Sequence, residues 1–159
     1  MKKIANELHI ELQNATQFQP LPTLLQLQRW VNVAFQFIPL FSPHSDSELT
    51  IRFIDKEESV ELNRTYLHKN SPTNVLSFPN ESIPGFFSTS LGDLAICAPL
   101  VDEEAKAQNK TLESHFAHLV IHGFLHLLGY DHIEEEESEE MEGLEIKILF
   151  KLGYKSPYE

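Results

Sequence analysis

The stretch from Thr111 to Gly129 constrains the fold of this chain more than any other part of the sequence. Four of its residues are histidines: His115, His118, His122 and His126. At about 100° per residue they fall within an arc of about 80°, so they form one stripe along a predicted helix. All but one of the other residues from Phe116 to Leu128 are apolar, which predicts a central helix that is buried on most sides. Thr111 is a suitable N-cap, and Gly129 is a suitable residue to end the helix.

The spacing of the last histidines predicts a metal site. His122 and His126 lie one helical turn apart, about 6 Å along the axis, which lets both imidazoles reach one tetrahedral ion. Gly129 can reverse the chain, so that His132 returns to the same point. The pattern H-x3-H-x2-G-x2-H is the ligand spacing of the metzincin zinc proteases. Three neutral imidazoles suit Zn²⁺ and leave a fourth position for water, so we predict one catalytic zinc ion per chain on His122, His126 and His132.

The residue after the first of these histidines departs from the protease pattern. Metzincins carry a glutamate there as the general base, whereas this chain has Gly123. Asp131, inside the motif, is a candidate base or a partner of a ligand histidine, and its alternative role is that of a turn residue. For His115 and His118 the alternatives are support of a metal ligand and a polar position in the core.

Composition limits the remaining possibilities. The chain has 159 residues, of which 42% are hydrophobic, so we predict a single domain over residues 1–159. Cys97 is the only cysteine, which excludes a disulfide framework and favours the cytoplasm. No signal peptide is expected, and the most apolar window, 30–41, is too short to cross a bilayer. The net charge of −12 speaks against DNA or general nucleic-acid binding, although eight of the 24 acidic residues lie between Glu134 and Glu145 in one predicted, solvated helix.

The hydrophobic pattern predicts a sheet of about four strands and several helices. Strands are predicted at 4–12, 49–53, 74–78 and 91–97, and helices at 24–38, 56–67, 102–108, 112–128 and 134–152. Within the last strand, we interpret Cys97 as a small core residue. Asp93 is interpreted as a hydrogen-bond acceptor at the strand end or as an orienting group for the site.

Three segments of the sequence resemble the YbeY-type family of metal-dependent single-strand endoribonucleases, which are associated with maturation and quality control of ribosomal RNA. They are HGFLHLLGYDH at 122–132, SPTNVLSFP at 71–79 and LGDLAIC at 91–97. The resemblance covers most of residues 48–154. It implies an α+β fold similar to zincins, in which a mixed sheet packs against the buried helix that carries the histidines. It also implies a zinc ion on His122, His126 and His132, and hydrolysis of RNA phosphodiester bonds.

One position departs from the family pattern. The family typically has arginine directly after the tyrosine of its N-x-x-Y segment, whereas Leu67 follows Tyr66 here. Arg64, His68 or Lys69 are candidates for the missing cation, and the alternative for each is a place on a solvated helix face. We predict that Arg64 contacts the substrate phosphate and belongs with His122 and Asp131 to the catalytic residues.

These observations lead to one main hypothesis and two rivals. The main hypothesis is a zinc-dependent hydrolase, an endonuclease that cleaves single-stranded RNA and takes part in ribosomal RNA processing and ribosome biogenesis, with the ribosome as its partner. The first rival is a zinc-dependent peptidase or amide hydrolase. The second is a non-catalytic, ribosome-associated factor with structural zinc. A fourth protein ligand such as Asp131 would favour this rival, because structural zinc sites have no open position.

Overall fold

The structure of this chain, a computed structural model, describes residues 8–38, 47–80, 90–130 and 135–158. The strands are β1 His9–Ala15, β2 Glu48–Ile54, β3 Val75–Pro79 and β4 Ser90–Cys97. The helices are α1 Leu24–Gln36, α2 Lys56–Leu67, α3 Ala98–Ala107, α4 Leu112–Leu127 and α5 Glu135–Leu152. The predicted α+β class is therefore confirmed.

The four strands form one mixed sheet in the order β1-β2-β4-β3. β2 runs parallel to β1 and to β4, whereas β3 pairs antiparallel with β4 at the edge. Side chains alternate between the two faces of each strand. Leu49, Ile51 and Phe53 of β2 are fully buried on one face, and the neighbouring Arg52 points to the other. The sheet therefore has one face in the main core and one that is partly open.

Helix α4 occupies the main core, as predicted. It packs against β3 and β4 on one side and against α1, α3 and α5 on the others. At its start, the Thr111 hydroxyl accepts a hydrogen bond from the Ser114 amide at 3.1 Å. At its end, Gly129 has φ of 99°, and the Tyr130 amide donates to the Leu125 carbonyl at 3.1 Å. The predicted cap and the predicted end of the helix are both confirmed, because each depends on local backbone chemistry.

Helix α2 covers part of the other face of the sheet. Two of its polar side chains are buried, and both hold the segment that leads into β3. The Ser59 hydroxyl donates to the Thr73 carbonyl and accepts from the Thr73 amide, both at 2.9 Å, while Asn63 Nδ2 donates to the Ser71 carbonyl at 2.8 Å. This segment therefore has a structural role.

Three details differ from the sequence predictions. Helix α3 begins at Ala98, four residues earlier than expected, because Pro99 is tolerated in the first helical turn, where no amide partner is needed. Strand β1 extends to Ala15, beyond the predicted end. Asp93 is exposed on the open face of the sheet, opposite to α4, which argues against its predicted role as an orienting group for the site. Cys97 is fully buried, as expected, and no helix of the described segments has the length and apolarity to span a membrane.

Candidate metal centre

His122 and His126 of α4 point their imidazole rings towards each other, and their Nε2 atoms lie 3.1 Å apart. A tetrahedral zinc ion with Zn–N distances of about 2.0–2.1 Å would separate two ligand nitrogens by about 3.3 Å. The two side chains therefore have the spacing and the donor atoms that suit two ligands of one zinc ion. His132, the predicted third ligand, and Asp131 lie outside the described residues.

A second group of potential ligand atoms lies beside this pair. His118, His122 and Glu145 bring one ligand atom each within 4.8 Å of one another. The carboxylate of Glu145 lies 2.7 Å from His122 Nδ1 through Oε1 and 2.9 Å from His118 Nε2 through Oε2. Hydrogen bonds thus connect the facing atoms directly, which favours a supporting role for this group over a separate ion site.

The carboxyl group of Glu145 has no exposed surface. Burial alone would raise the pKa of its carboxyl, but hydrogen bonds from His118, His122 and Tyr158 together lower it to about 2. The Tyr158 hydroxyl donates to Oε2, the oxygen that also faces His118. A buried anion with three donors is stable because each lost contact with water has been replaced.

The two remaining histidines of the stripe have different surroundings. His115 is buried, and its Nε2 lies 2.9 Å from Glu104 Oε1 of α3. Burial lowers the pKa of His115, although Glu104 opposes that effect. His115 therefore takes the polar core position, whereas His118 shares the carboxylate of Glu145 with His122. Of the two roles that the sequence left open, His115 has the polar position in the core and His118 has the place beside a candidate metal ligand.

Gly123 lies where the backbone of α4 meets β3 and β4. A Cβ at this position would lie 2.8 Å from Leu94 Cδ2 and 3.2 Å from both Ser77 Oγ and Val75 Cγ2. The Ser77 hydroxyl also donates to the Gly123 carbonyl at 3.2 Å. The glutamate that metzincins carry after the first ligand has no room here, which further weakens the peptidase alternative that the ligand spacing had raised.

The candidate cations lie in a different layer of the fold. The apolar side chains of α2 pack on the sheet face opposite to α4. Arg64 of α2 is exposed, and its Nε donates to Asn70 Oδ1 at 2.9 Å. His68 ends the same helix in the left-handed conformation, and Lys69 follows it on the surface. The structure therefore brings His122 and His126 together but positions Arg64 in the last turn of α2, before the loop that leads to β3.

Sequence reasoning missed Glu145 and Tyr158. Glu145 was counted with the glutamates of a solvated helix, yet it lies within an arc of about 60° that also holds Met141, Ile148 and Leu152. All three of those apolar residues are buried. A single carboxylate on the apolar face of a helix was thus the available signal. Nothing in the sequence marks Tyr158.

Comparison with known proteins identifies the family. A family model described as Endoribonuclease YbeY matches residues 11–153. The chain belongs to the YbeY family. An endoribonuclease YbeY from Coxiella burnetii (strain Dugway 5J108-111) is 65% identical over 152 residues, which cover 96% of this chain and 99% of that protein. The protein of the same name from strain RSA 331 / Henzerling II matches with the same values.

A solved structure agrees with the YbeY assignment at the level of the fold. The solution structure of TM1509 from Thermotoga maritima superposes with a TM-score of 0.55 at 23% sequence identity. The match covers 90% of this chain and 92% of that one. The resemblance to the YbeY-type family that the sequence motifs indicated is confirmed, and so is the mixed sheet packed against a buried helix.

Proposed function

We propose that this chain is a zinc-dependent endoribonuclease that cleaves single-stranded RNA, with residues 1–159 acting as one domain. The observation that carries the proposal is the convergence of His122 and His126, whose Nε2 atoms lie 3.1 Å apart on the buried helix of a YbeY-family chain. Relatives that match this chain over 99% of their length are named endoribonucleases. By the sequence spacing, His132 would complete a set of three imidazole ligands.

Each part of the motif has a proposed task. His122, His126 and His132 would hold one zinc ion, which when bound would act as a Lewis acid that activates water and polarises a phosphoryl oxygen. Since Gly123 has no room for a carboxylate side chain, the proton acceptor must come from another position. Asp131 is the proposed acceptor of the proton that the attacking oxygen releases.

The RNA has to bind to a chain with a net charge of −12. We propose weak, salt-dependent binding that is helped by stacking of unpaired bases on aromatic rings, with ribosomal RNA presented by the ribosome as the substrate. Tyr66 is 59% exposed, and its ring centroid lies 5.0 Å from that of Phe78. Phe78 follows Ser77, whose hydroxyl contacts the Gly123 carbonyl beside His122. The two rings and His122 thus lie on opposite faces of the sheet but at the same edge, which favours the β3 edge as the base-binding side.

Metal analysis combined with a cleavage assay tests the proposal. Purified protein is expected to contain one zinc ion per chain and to cleave single-stranded RNA, and a chelator should abolish cleavage until zinc is added back. Cleavage of casein-like peptides without cleavage of RNA would instead support the peptidase alternative. Stoichiometric zinc without either activity would support the ribosome-associated factor. A 2′-deoxy substitution at the scissile nucleotide distinguishes attack by the 2′-hydroxyl from attack by water.

The proposed phosphate contact of Arg64 has its own test. Replacement of Arg64 by alanine should reduce cleavage roughly tenfold, as expected when a charged hydrogen bond worth about 1.5 kcal/mol is lost, and should leave the zinc content unchanged. Lys69→Ala is the matched comparison, because it removes an exposed cation five residues further along the chain, just after the end of α2. If Lys69→Ala loses activity and Arg64→Ala does not, the cation is Lys69.

A further inference from the structure

The contacts of Glu145 suggest how His122 is held in its reactive orientation. Glu145 is fully buried and receives three hydrogen bonds, from His122 Nδ1 at 2.7 Å, from His118 Nε2 at 2.9 Å and from the Tyr158 hydroxyl. Both oxygens of a carboxylate are acceptors, and each of them has a ring nitrogen at hydrogen-bond distance, so the geometry assigns a hydrogen to His122 Nδ1 and to His118 Nε2. A neutral His122 with its hydrogen on Nδ1 has its lone pair on Nε2. That is the atom that faces Nε2 of His126.

We propose that Glu145 is a positioning residue that fixes the tautomer of the metal ligand His122, and that Tyr158 of the C-terminal segment keeps Glu145 in place. The inference rests on the proposed function, because it takes His122 as a metal ligand. A carboxylate that accepts a hydrogen bond from a ligand histidine sets the ring orientation and makes the opposite nitrogen a stronger donor. Glu145 thus acts through His122 and does not itself contact the ion.

The C-terminal segment, residues 153–158, is fastened across the start of α4 by polar contacts. The Tyr154 hydroxyl accepts from Trp30 Nε1 at 3.3 Å and donates to Glu113 Oε2 at 2.7 Å. Lys110 Nζ donates to the Pro157 carbonyl at 2.8 Å. These contacts tie the segment to α1 and to both sides of the α4 N-cap. The position of the following residue is therefore set by the fold.

In this position Tyr158 contacts both the Glu145 carboxylate and the ring of His118. Its ring meets the ring of His118 edge to face, with centroids 5.6 Å apart at 81°, and its hydroxyl donates to Glu145. Burial and the hydrogen bond to Glu145 both raise the pKa of Tyr158, so the hydroxyl keeps its proton and remains a donor. The last residues of the chain thereby complete the hydrogen bonds of a group that contacts the metal centre.

The variant Glu145→Gln tests the tautomer directly. An amide offers one oxygen acceptor and one NH₂ donor group, so it cannot accept from both histidines and must pair with an unprotonated nitrogen on one side. ¹⁵N NMR of the zinc-free protein should show loss of the single Nδ1–H form of His122. The affinity for zinc, measured by competition with a chromophoric chelator, should fall about 10- to 100-fold. Glu137→Gln, an exposed change of the same charge in α5, is the control and should stay within twofold of wild type.

Two outcomes of this experiment would overturn the inference. One is a folded Glu145→Gln protein that binds zinc within twofold of wild type. The other is weaker zinc binding in a variant whose His122 keeps the wild-type ¹⁵N shifts, since the loss would then come from the missing charge alone. Both measurements are made without RNA. A wild-type protein that binds no zinc would contradict the proposed function itself, so the two failures are distinguishable.

The variant Tyr158→Phe provides a second test that is independent of the folding of Glu145→Gln. It removes one hydroxyl and keeps the ring against His118, and it should weaken zinc binding about two- to tenfold. Tyr66→Phe removes a hydroxyl from an exposed tyrosine of α2 that does not contact Glu145 or the C-terminal segment, and should change zinc affinity less than twofold. Equal effects of the two variants, or no effect of Tyr158→Phe, would show that the hydroxyl on Glu145 does not matter.

Discussion

Helix α4 carries a histidine–carboxylate pair towards each end, and the two pairs differ in what the second ring nitrogen meets. Near the N-terminal end, His115 Nε2 lies 2.9 Å from Glu104, and its Nδ1 is buried without a hydrogen-bond partner in the described part of the chain. Near the C-terminal end, His122 Nδ1 lies 2.7 Å from Glu145, and its Nε2 lies 3.1 Å from His126 Nε2. A carboxylate contact is therefore not enough to make a metal site. The two pairs differ because the ring nitrogen of His122 that faces away from the carboxylate lies close to a second imidazole, whereas that of His115 does not.

The largest expected difference between the two ends is in metal content. His122→Ala or His126→Ala should abolish stoichiometric zinc, because either change leaves fewer than three imidazole ligands in the predicted set. His115→Gln should keep one zinc ion per chain, since its ring serves the core. Elemental analysis of the three purified variants measures this. Loss of zinc from His115→Gln, or its retention in His122→Ala, would reverse the assignment of the two ends.

The second expected difference is in the stability that zinc provides. An ion that binds only the folded state stabilises it by about 4 kcal/mol at a free concentration 1,000 times Kd, so a chelator should lower Tm of the wild-type protein clearly. His115→Gln should respond to the chelator as wild type does, whereas His122→Ala should not respond. Thermal unfolding with and without chelator measures the effect. An unchanged wild-type melting curve would mean that zinc is peripheral to the fold.

The same comparison shows what the sequence could and could not predict. The stripe of histidines, the Thr111 cap and the Gly129 end follow from helical periodicity and local backbone chemistry, so they were predictable within one short segment. Glu145 and Tyr158 reach the stripe from 23 and 36 residues beyond His122 through tertiary packing. In the sequence, Glu145 also follows closely after a run of solvated glutamates. Glu145 differs from the neighbouring glutamates only because it lies on the face of α5 that packs into the core.

The role of Gly123 was likewise only half predictable. The sequence showed that the protease glutamate is missing, but the reason lies in the sheet. The side chains that contact Gly123 belong to β3 and β4, which are 29 or more residues away in the sequence. How closely these strands approach α4 depends on the whole fold. The early start of α3 at Ala98 has a similar origin, because its first turn packs in the core directly after β4.

The third prediction concerns how closely the part of α4 that carries the candidate metal ligands packs on the sheet. Gly123→Ala should lower the free energy of unfolding by about 1–3 kcal/mol, because the new methyl group would lie 2.8 Å from Leu94 Cδ2. Gly143→Ala in α5 is the matched control. Its Cβ would have no neighbour within 4 Å, and alanine is the better helix former by about 0.5–1 kcal/mol. Urea unfolding of both variants measures the difference, and equal stabilities would contradict the close packing of Gly123.

The smallest expected effect is a pH dependence specific to the N-terminal end of the stripe. Burial lowers the pKa of His115 in the folded protein, and Glu104 offsets this effect only in part, while His118 and Lys110 lower it further. The unfolded chain, whose histidine has a pKa of about 6.5, therefore takes up a proton before the folded protein does. The contribution of the neutral ring to stability is present above that value and is lost as the pH falls below it. Between pH 7 and pH 5, protonation of His115 in the unfolded chain should lower the stability of wild type, and His115→Gln cannot lose stability in this way. The difference in free energy of unfolding between the two proteins should therefore become smaller as the pH falls.

Urea unfolding of both proteins at several pH values measures this difference. The effects of the other histidines cancel because both proteins contain them. A difference that stays constant on acidification would mean that burial and Glu104 cancel in their effect on the pKa of His115. A difference that widens would mean that His115 is charged in the folded protein and forms an ion pair with Glu104.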